Sequence, residues 1–126
     1  MIRPATPADF PSIRGLLDVN KMLRPGVRYT EFSPLCLVYE RHGLIVGALQ
    51  VLMGKPYSSV EFLAVAPQHV AKGYGTRLFD AAELVLRAYD IPAMVMGTEN
   101  AEVADMLVRR GAEVVGRGTA LIKVLS

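Results

Sequence analysis

Glu61 to Tyr89 reads EFLAVAPQHVAKGYGTRLFDAAELVLRAY, and this stretch decides the fold. The apolar run Val60 to Val65 has strand character, Pro67 follows it, and the loop Lys72-Gly73-Tyr74-Gly75-Thr76 leads into a helix-periodic segment. In that segment Leu78, Ala82, Val85, Leu86 and Tyr89 fall on one stripe, while Arg77, Asp80, Glu83 and Arg87 fall on the other side. That is the pattern of an amphipathic surface helix. The order is therefore strand, glycine loop, helix. At a helix N-terminus the first N–H groups have no intrahelical partner and the helix dipole presents its positive end. Glycines let an anion approach those donors closely, so phosphate is the natural ligand of such a loop.

Spacing sorts the phosphate motifs. A Walker A loop ends in Gly-Lys-Ser/Thr, whereas here Lys72 precedes the glycines and Arg77 follows Thr76. A dinucleotide fingerprint needs a third glycine three residues after Gly75, and that position is Leu78. The window Val70-Ala71-Lys72-Gly73-Tyr74-Gly75, preceded by Leu63-Ala64-Val65-Ala66-Pro67, resembles motif A of the GCN5-related N-acetyltransferases, the GNAT family. In that motif Arg/Gln-x-x-Gly-x-Gly/Ala follows a strand and a proline and opens a helix. Val70 stands where the family usually has Arg or Gln, so one side-chain contribution is missing while the backbone donors remain.

Composition bounds the alternatives. A chain of 126 residues with 52% hydrophobic residues can build one compact core, and nothing in it marks a second domain. A net charge of +2, without a basic stripe, gives no argument for nucleic acid but is compatible with a polyanionic cofactor. Cys36 is the only cysteine, and His42 and His69 do not make a metal site by themselves. The chain opens on Met-Ile-Arg-Pro without a signal-like apolar segment, and its apolar runs fall far short of the ~18 residues of a membrane span. A cytosolic protein with no metal and no membrane partner is expected.

Around the central stretch the other elements fall in order. Ile2-Arg3 reads as a short strand. A helix follows, capped either by Thr6 with Pro7 at the first helical position or by Asp9 with Pro11 in the first turn. Phe10, Ile13, Leu16 and Leu17 form its buried stripe. Asn20 to Pro34 is irregular, with a turn at Pro25-Gly26 and with Arg24, Arg28, Tyr29 and Glu31 nearby. Leu35 to Glu40 and Leu44 to Leu52 make a hairpin through Arg41-His42-Gly43, where His42 is expected to be exposed. After Asp90-Ile91-Pro92 stops the central helix, Ala93 to Met96 is a short strand. Gly97-Thr98-Glu99-Asn100 caps a helix that turns Val103, Met106 and Leu107 inward and ends at Gly111. Glu113 to Val115 and Thr119 to Leu125, joined through Gly116-Arg117-Gly118, are the last strands. The reading is an α/β domain over residues 1–126, with about seven strands and three or four helices; the resemblance adds that the sheet is mixed, mostly antiparallel and GNAT-like.

The resemblance also implies a chemistry: N-acyl transfer, with acetyl passing from acetyl-CoA to an amine by direct attack in a ternary complex. It implies that Leu63, Ala64 and Val65 meet the pantetheine arm and polarise the thioester, and that Val70, Ala71, Lys72, Gly73, Tyr74, Gly75 and Thr76 hold the pyrophosphate. It also places Asn100 among the cofactor-binding residues. An amine acceptor is the second partner, and a homodimer is compatible with the family. A lysine-type amine has a pKa near ~10.4, so a base is needed. Glu61 is the candidate: strand alternation puts Ser59, Glu61, Leu63 and Val65 on one face, and a carboxylate in an apolar strand needs a use or a partner. The other reading, that Glu61 ends an edge strand and points to solvent, stands beside it. Tyr74 and His69 are further possible contacts, exposed by default as loop residues. Family members carry Tyr seven residues after the Asn100 position to protonate the leaving thiolate, and here that place is Leu107. Two other classes remain: a non-catalytic acyl-CoA-binding module with a degenerate site, and an unrelated nucleotide- or phosphate-binding α/β domain.

Overall fold

The computed structural model describes residues 1–23, 35–70, 72–97, 101–115 and 120–125. Among the described residues seven strands form one sheet: β1 (Ile2–Pro4), β2 (Leu35–Arg41), β3 (Leu44–Leu52), β4 (Ser58–Val65), β5 (Ala93–Gly97), β6 (Glu113–Val115) and β7 (Ala120–Val124). Their order across the sheet is β1-β2-β3-β4-β5-β7-β6, antiparallel throughout except for the parallel pair β4 and β5. Three helices cover it: α1 (Phe10–Val19), α2 (Tyr74–Ala88) and α3 (Ala101–Arg109). The β2–β3 hairpin turns at His42 and Gly43, both at positive φ (52° and 78°), the conformation a tight two-residue hairpin requires. His42 is exposed, as expected.

Alternation along the strands separates two cores. Cys36 and Val38 of β2, Ala48 of β3, and Phe62 and Ala64 of β4 pack with Ile13, Leu16 and Leu17 of α1. Leu35, Leu37, Leu49, Val51, Val60 and Leu63 point to the opposite face, with Leu78, Phe79, Ala82 and Leu86 of α2 and Leu107 of α3. Each such large side chain contributes about 1.5–3 kcal/mol when fully buried. Helix α2 crosses β3 closely at Gly47, where an added Cβ would lie 3.0 Å from Leu78 Cδ1. The Cys36 thiol is buried in the α1 core, and its pKa is pushed up to about 12 by that burial.

Both candidate caps of the first helix are used in succession. Thr6 precedes a 3-10 turn over Pro7–Asp9, and α1 continues from Phe10 with Pro11 harmless in its first turn. Asp9 accepts from Thr6 N–H (2.8 Å) and from both terminal nitrogens of Arg3 (2.7 and 2.9 Å). Arg3 also reaches Glu40 on β2 (3.0 Å), tying the first strand, the helix start and the hairpin together.

Several expectations lie outside the described residues: the Pro25-Gly26 turn and its charged neighbours, the Thr98-Glu99-Asn100 cap, the Gly116-Arg117-Gly118 connection and the side chain of Val103. Two others are corrected. Tyr89 is 62% exposed and lies just past α2, because the helix has already ended at Ala88. Glu83 is half-buried rather than on a solvated face: it pairs with Lys123 of β7 and with Arg87 (3.4 Å), so the helix docks through charge as well as through its apolar stripe.

Candidate active site

β4 changes character halfway along. Ser58, Ser59 and Val60 pair with Met94, Val95 and Met96 of β5, and Ser59 and Val60 pair with β3 as well. Past Val60 the β5 ladder stops, while the β3 ladder continues to Val65. β5 ends one residue later at Gly97, and among the described residues the β4 main chain from Glu61 to Val65 has a strand neighbour on one side only; the space beside this open edge is the candidate cleft.

The direction of the unpaired groups follows from the register. Ala66 N–H donates to Val46 C=O (2.8 Å), and in an antiparallel ladder hydrogen-bonding pairs alternate with non-bonding ones. Ala64 and Phe62 therefore point their main-chain groups at β3, and Leu63 and Val65 point theirs into the cleft. Asn20, at the end of α1, agrees with this: its side-chain amide donates to Val65 C=O (3.1 Å) as well as to Leu16 C=O (2.8 Å). The cleft edge thus offers Leu63 N–H, Leu63 C=O and Val65 N–H. Sequence reasoning did not single out Asn20; an asparagine at a helix C-terminus is too common a signal to separate.

Glu61 sits where the cleft begins. The β3–β4 register slips there, from Gln50 opposite Phe62 to Val51 opposite Val60, which leaves Glu61 as the extra residue of a bulge. The expected shared face of Ser59, Glu61, Leu63 and Val65 is corrected accordingly. Val60 joins Leu63 against α2, and Phe62 faces α1, because the bulge shifts the alternation by one. The Glu61 side chain is exposed.

The glycine loop closes the other wall. Gly73 caps α2 at φ 83°, a left-handed conformation that favours glycine, and no side chain caps the helix. There is no acidic residue in its first turn, so among the described residues no local side chain caps the first N–H groups of α2 or offsets its dipole. Gly75 faces the cleft strand: a Cβ there would lie 3.6 Å from Val65 and 3.7 Å from Leu63 side chains. Val70, where the family carries Arg or Gln, is 49% exposed; Lys72 is exposed and Thr76 half-buried. Ala71 and Asn100 lie outside the described residues.

Tyr74 departs from expectation. It is only 3% exposed, because it is the first residue of α2 and turns away from β4. Its ring packs on Tyr39 of β2 (centroids 4.4 Å) and lies 5.8 Å from His69. Its hydroxyl accepts a hydrogen bond from Arg41. Leu107 is buried at 1% in the α2 core, below the cleft wall that Leu63 helps to form. Among the described residues no cluster of three His, Cys, Asp or Glu side chains is placed to hold a metal, and no helix is long and apolar enough to cross a membrane.

Known proteins share this fold. Ard1 from Thermoplasma volcanium superposes with a TM-score of 0.85 at 16% identity, over 100% of this chain and 97% of that one. Ribosomal-protein-alanine N-acetyltransferase from Brucella melitensis gives 0.80 at 20% identity, over 99% of each chain. N-acetylglutamate synthase from Neisseria gonorrhoeae, complexed with coenzyme A and N-acetyl-glutamate, gives 0.85 at 19% identity; the match covers 100% of this chain but 35% of the synthase. At these identities the likeness is one of fold. No curated protein matches the sequence. The sequence model of the acetyltransferase (GNAT) family matches residues 15–111. That span is well over half of the chain and holds both the parting of β4 from β5 and the glycine loop, so the chain belongs to the acetyltransferase (GNAT) family.

Proposed function

We propose that this protein is an N-acyltransferase that passes acetyl from acetyl-CoA to an amine by direct attack in a ternary complex. The observation that carries the reading is the juxtaposition of two unsatisfied sets of main-chain groups. The open edge of β4 at Leu63 and Val65 lies next to the uncapped start of α2, because Gly75 in the first turn of that helix packs against the Leu63 and Val65 side chains. A ligand that fits both sets has an anionic segment joined to an extended, amide-bearing arm, and coenzyme A is such a molecule. One fold relative is complexed with coenzyme A.

In this reading the N–H groups from Gly73 to Thr76 take the pyrophosphate, with Val70 and Lys72 lining the approach; Ala71 and Asn100 are assigned to the cofactor by the family resemblance alone. The pantetheine amides extend the sheet along Leu63, Ala64 and Val65. A main-chain N–H of that edge aimed at the thioester oxygen stabilises the charge that develops there; a fixed donor of this kind is worth roughly 2.7–4 kcal/mol. Glu61, exposed at the mouth of the cleft, takes the proton of the attacking ammonium, directly or through a water. The amine attacks the thioester carbon, the C–S bond breaks, and the thiolate leaves. A free thiol has a pKa near ~8.5, so its thiolate departs tolerably at neutral pH without the hydroxyl that Leu107 lacks.

Leu107 favours a second reading, an acyl-CoA-binding module without turnover, since the residue is buried in the core and offers no proton. Calorimetric titration with coenzyme A, run beside thiol release from acetyl-CoA over a panel of amines, separates the two. Binding with release on one or more amines supports the enzyme; binding without release on any amine supports the module. If ATP or NAD competes as well as coenzyme A, both readings fall.

A further inference from the structure

Helix α1 ends in a turn that its own main chain closes. Lys21, at positive φ (57°), donates its N–H to Asp18 C=O (2.9 Å), and Met22 N–H donates to Leu17 C=O (2.7 Å). These two bonds are the paired closure of a Schellman motif, and Asn20 N–H adds a third to Leu16 C=O (3.2 Å). The helix end is therefore complete without the Asn20 side chain. That side chain is committed all the same: its amide donates to Leu16 C=O (2.8 Å) and, 45 positions along the chain, to Val65 C=O (3.1 Å). Val65 lies beyond the β4–β5 ladder, so Asn20 gives this carbonyl the bond that a neighbouring strand gives elsewhere in the sheet.

The consequence lies in the pattern of the open edge. From Leu63 to Val65 its cleft-facing groups run donor, acceptor, donor, acceptor, and Asn20 holds the last of them. The next cleft-facing position is Pro67, which has no N–H. A thioester-bearing pantetheine arm presents acceptor, donor, acceptor: the thioester oxygen, the first amide N–H and the C=O of that amide. Laid against Leu63 N–H, Leu63 C=O and Val65 N–H, this series puts the thioester at Leu63, two positions from Glu61. Sliding the arm by one repeat of the edge, about 6.8 Å, would move the thioester to Val65 N–H and the amide N–H to Val65 C=O. There it would have to share the carbonyl with the Asn20 amide. We propose that Asn20 is a positioning residue that fixes the register of the acyl donor: by taking Val65 C=O it keeps the thioester at Leu63, within the reach of Glu61. Asn20 acts through Val65 and touches no reacting atom. The inference rests on the proposed function.

The test compares the parent with Asn20→Leu, which keeps the size and removes both donors, and with Asn20→Gln, which returns an amide on a longer stem. Urea denaturation checks folding. Acetyl-CoA isotope-labelled at the thioester carbonyl is bound to each protein, its C=O band is read by infrared difference spectroscopy, and kcat and KM are measured on a responsive amine. The parent is expected to give one band below the frequency of the free ligand, because a fixed N–H polarises the carbonyl. Asn20→Leu should split or broaden that band and lower kcat by about tenfold to a hundredfold, the cost of a misplaced reacting group, with acetyl-CoA affinity within about twofold of the parent. Asn20→Gln should restore part of both. A folded Asn20→Leu protein with the parent's band and kcat overturns the inference. A variant that loses stability and acetyl-CoA affinity together, with the band of the bound fraction unchanged, overturns it too, since Asn20 would then only dock α1 on β4. If the parent binds acetyl-CoA but turns over no amine, the enzyme reading falls and the band alone decides the register. A parent that does not bind acetyl-CoA overturns the proposed function, and this inference with it.

Discussion

Two helices in this molecule begin in opposite ways. The N-terminal helical segment is closed from within: Asp9 takes the Thr6 N–H and is held by Arg3, and Arg3 is held in turn by Glu40. The start of α2 has a left-handed glycine, no capping side chain and no acid in its first turn. The first arrangement uses its helix-end donors and local charge for stability. The second leaves them uncapped, and the proposed function gives them the cofactor's pyrophosphate. A helix N-terminus becomes a binding site when the chain withholds the cap it supplies elsewhere.

The largest expected effect comes from supplying that withheld charge. Gly75→Glu places a carboxylate between α2 and the Leu63–Val65 edge, and calorimetry should find coenzyme A binding lost. Gly75→Ala, whose Cβ makes only ordinary contacts at 3.6 and 3.7 Å, should retain it. A Glu variant that binds like the parent would show that the two helix starts do not differ as described. Next comes Glu61→Gln. Turnover should fall by about 10²–10⁴, the range for general-base catalysis, with cofactor affinity unchanged. The deficit should narrow at high pH, where free amine needs no base; an equal loss at every pH would assign Glu61 to positioning.

The closed helix start predicts a stability effect with no effect on binding. Asp9→Asn should cost about 1.5–3 kcal/mol near neutral pH, measured by urea denaturation, and leave coenzyme A affinity unaltered. Chiefly through its hydrogen bonds to Arg3, the Asp9 carboxyl is held well below the usual carboxylate range. Its contribution is therefore complete above the unfolded-chain value near ~3.9 and is lost as the pH falls through the lower folded-state value. The gap between parent and variant should close in acid, and a gap independent of pH would disconnect Asp9 from the ion pair. The smallest effect is expected from Leu107→Tyr. Overpacking a side chain that is 1% exposed costs about 1–3 kcal/mol of stability, while the new hydroxyl should raise turnover a few-fold below pH 8 without lowering cofactor affinity. If only the variant turns over, the native chain is the binding module.

What was legible in the sequence was what neighbouring residues decide. The 3.6-residue stripe of α2, the proline stops and the His42-Gly43 turn all read out locally, and the seven strands follow. What was not legible depends on partners far along the chain. Tyr74 reads as an exposed loop residue until Tyr39 and Arg41, more than thirty positions earlier, draw it inward. Glu83 looks solvated until β7 brings Lys123 over it. The bulge at Glu61 comes from a register slip against β3, which no periodicity within β4 reveals. The Gly-x-Gly spacing located the candidate loop, but the parting of β4 from β5 that gives the loop its proposed use is a property of the sheet.

That parting bears on how the protein coexists with copies of itself. Unpaired strand edges are templates for edge-to-edge association, and natural sheets blunt them with short strands and prolines. The outer edges here follow that practice: β1 and β6 are three residues each, and β1 ends in Pro4. The edge left open lies in the interior of the strand order, past the end of the β4–β5 ladder. In the proposed function that interior edge takes the cofactor arm, whereas the outer edges of the sheet are the short ones.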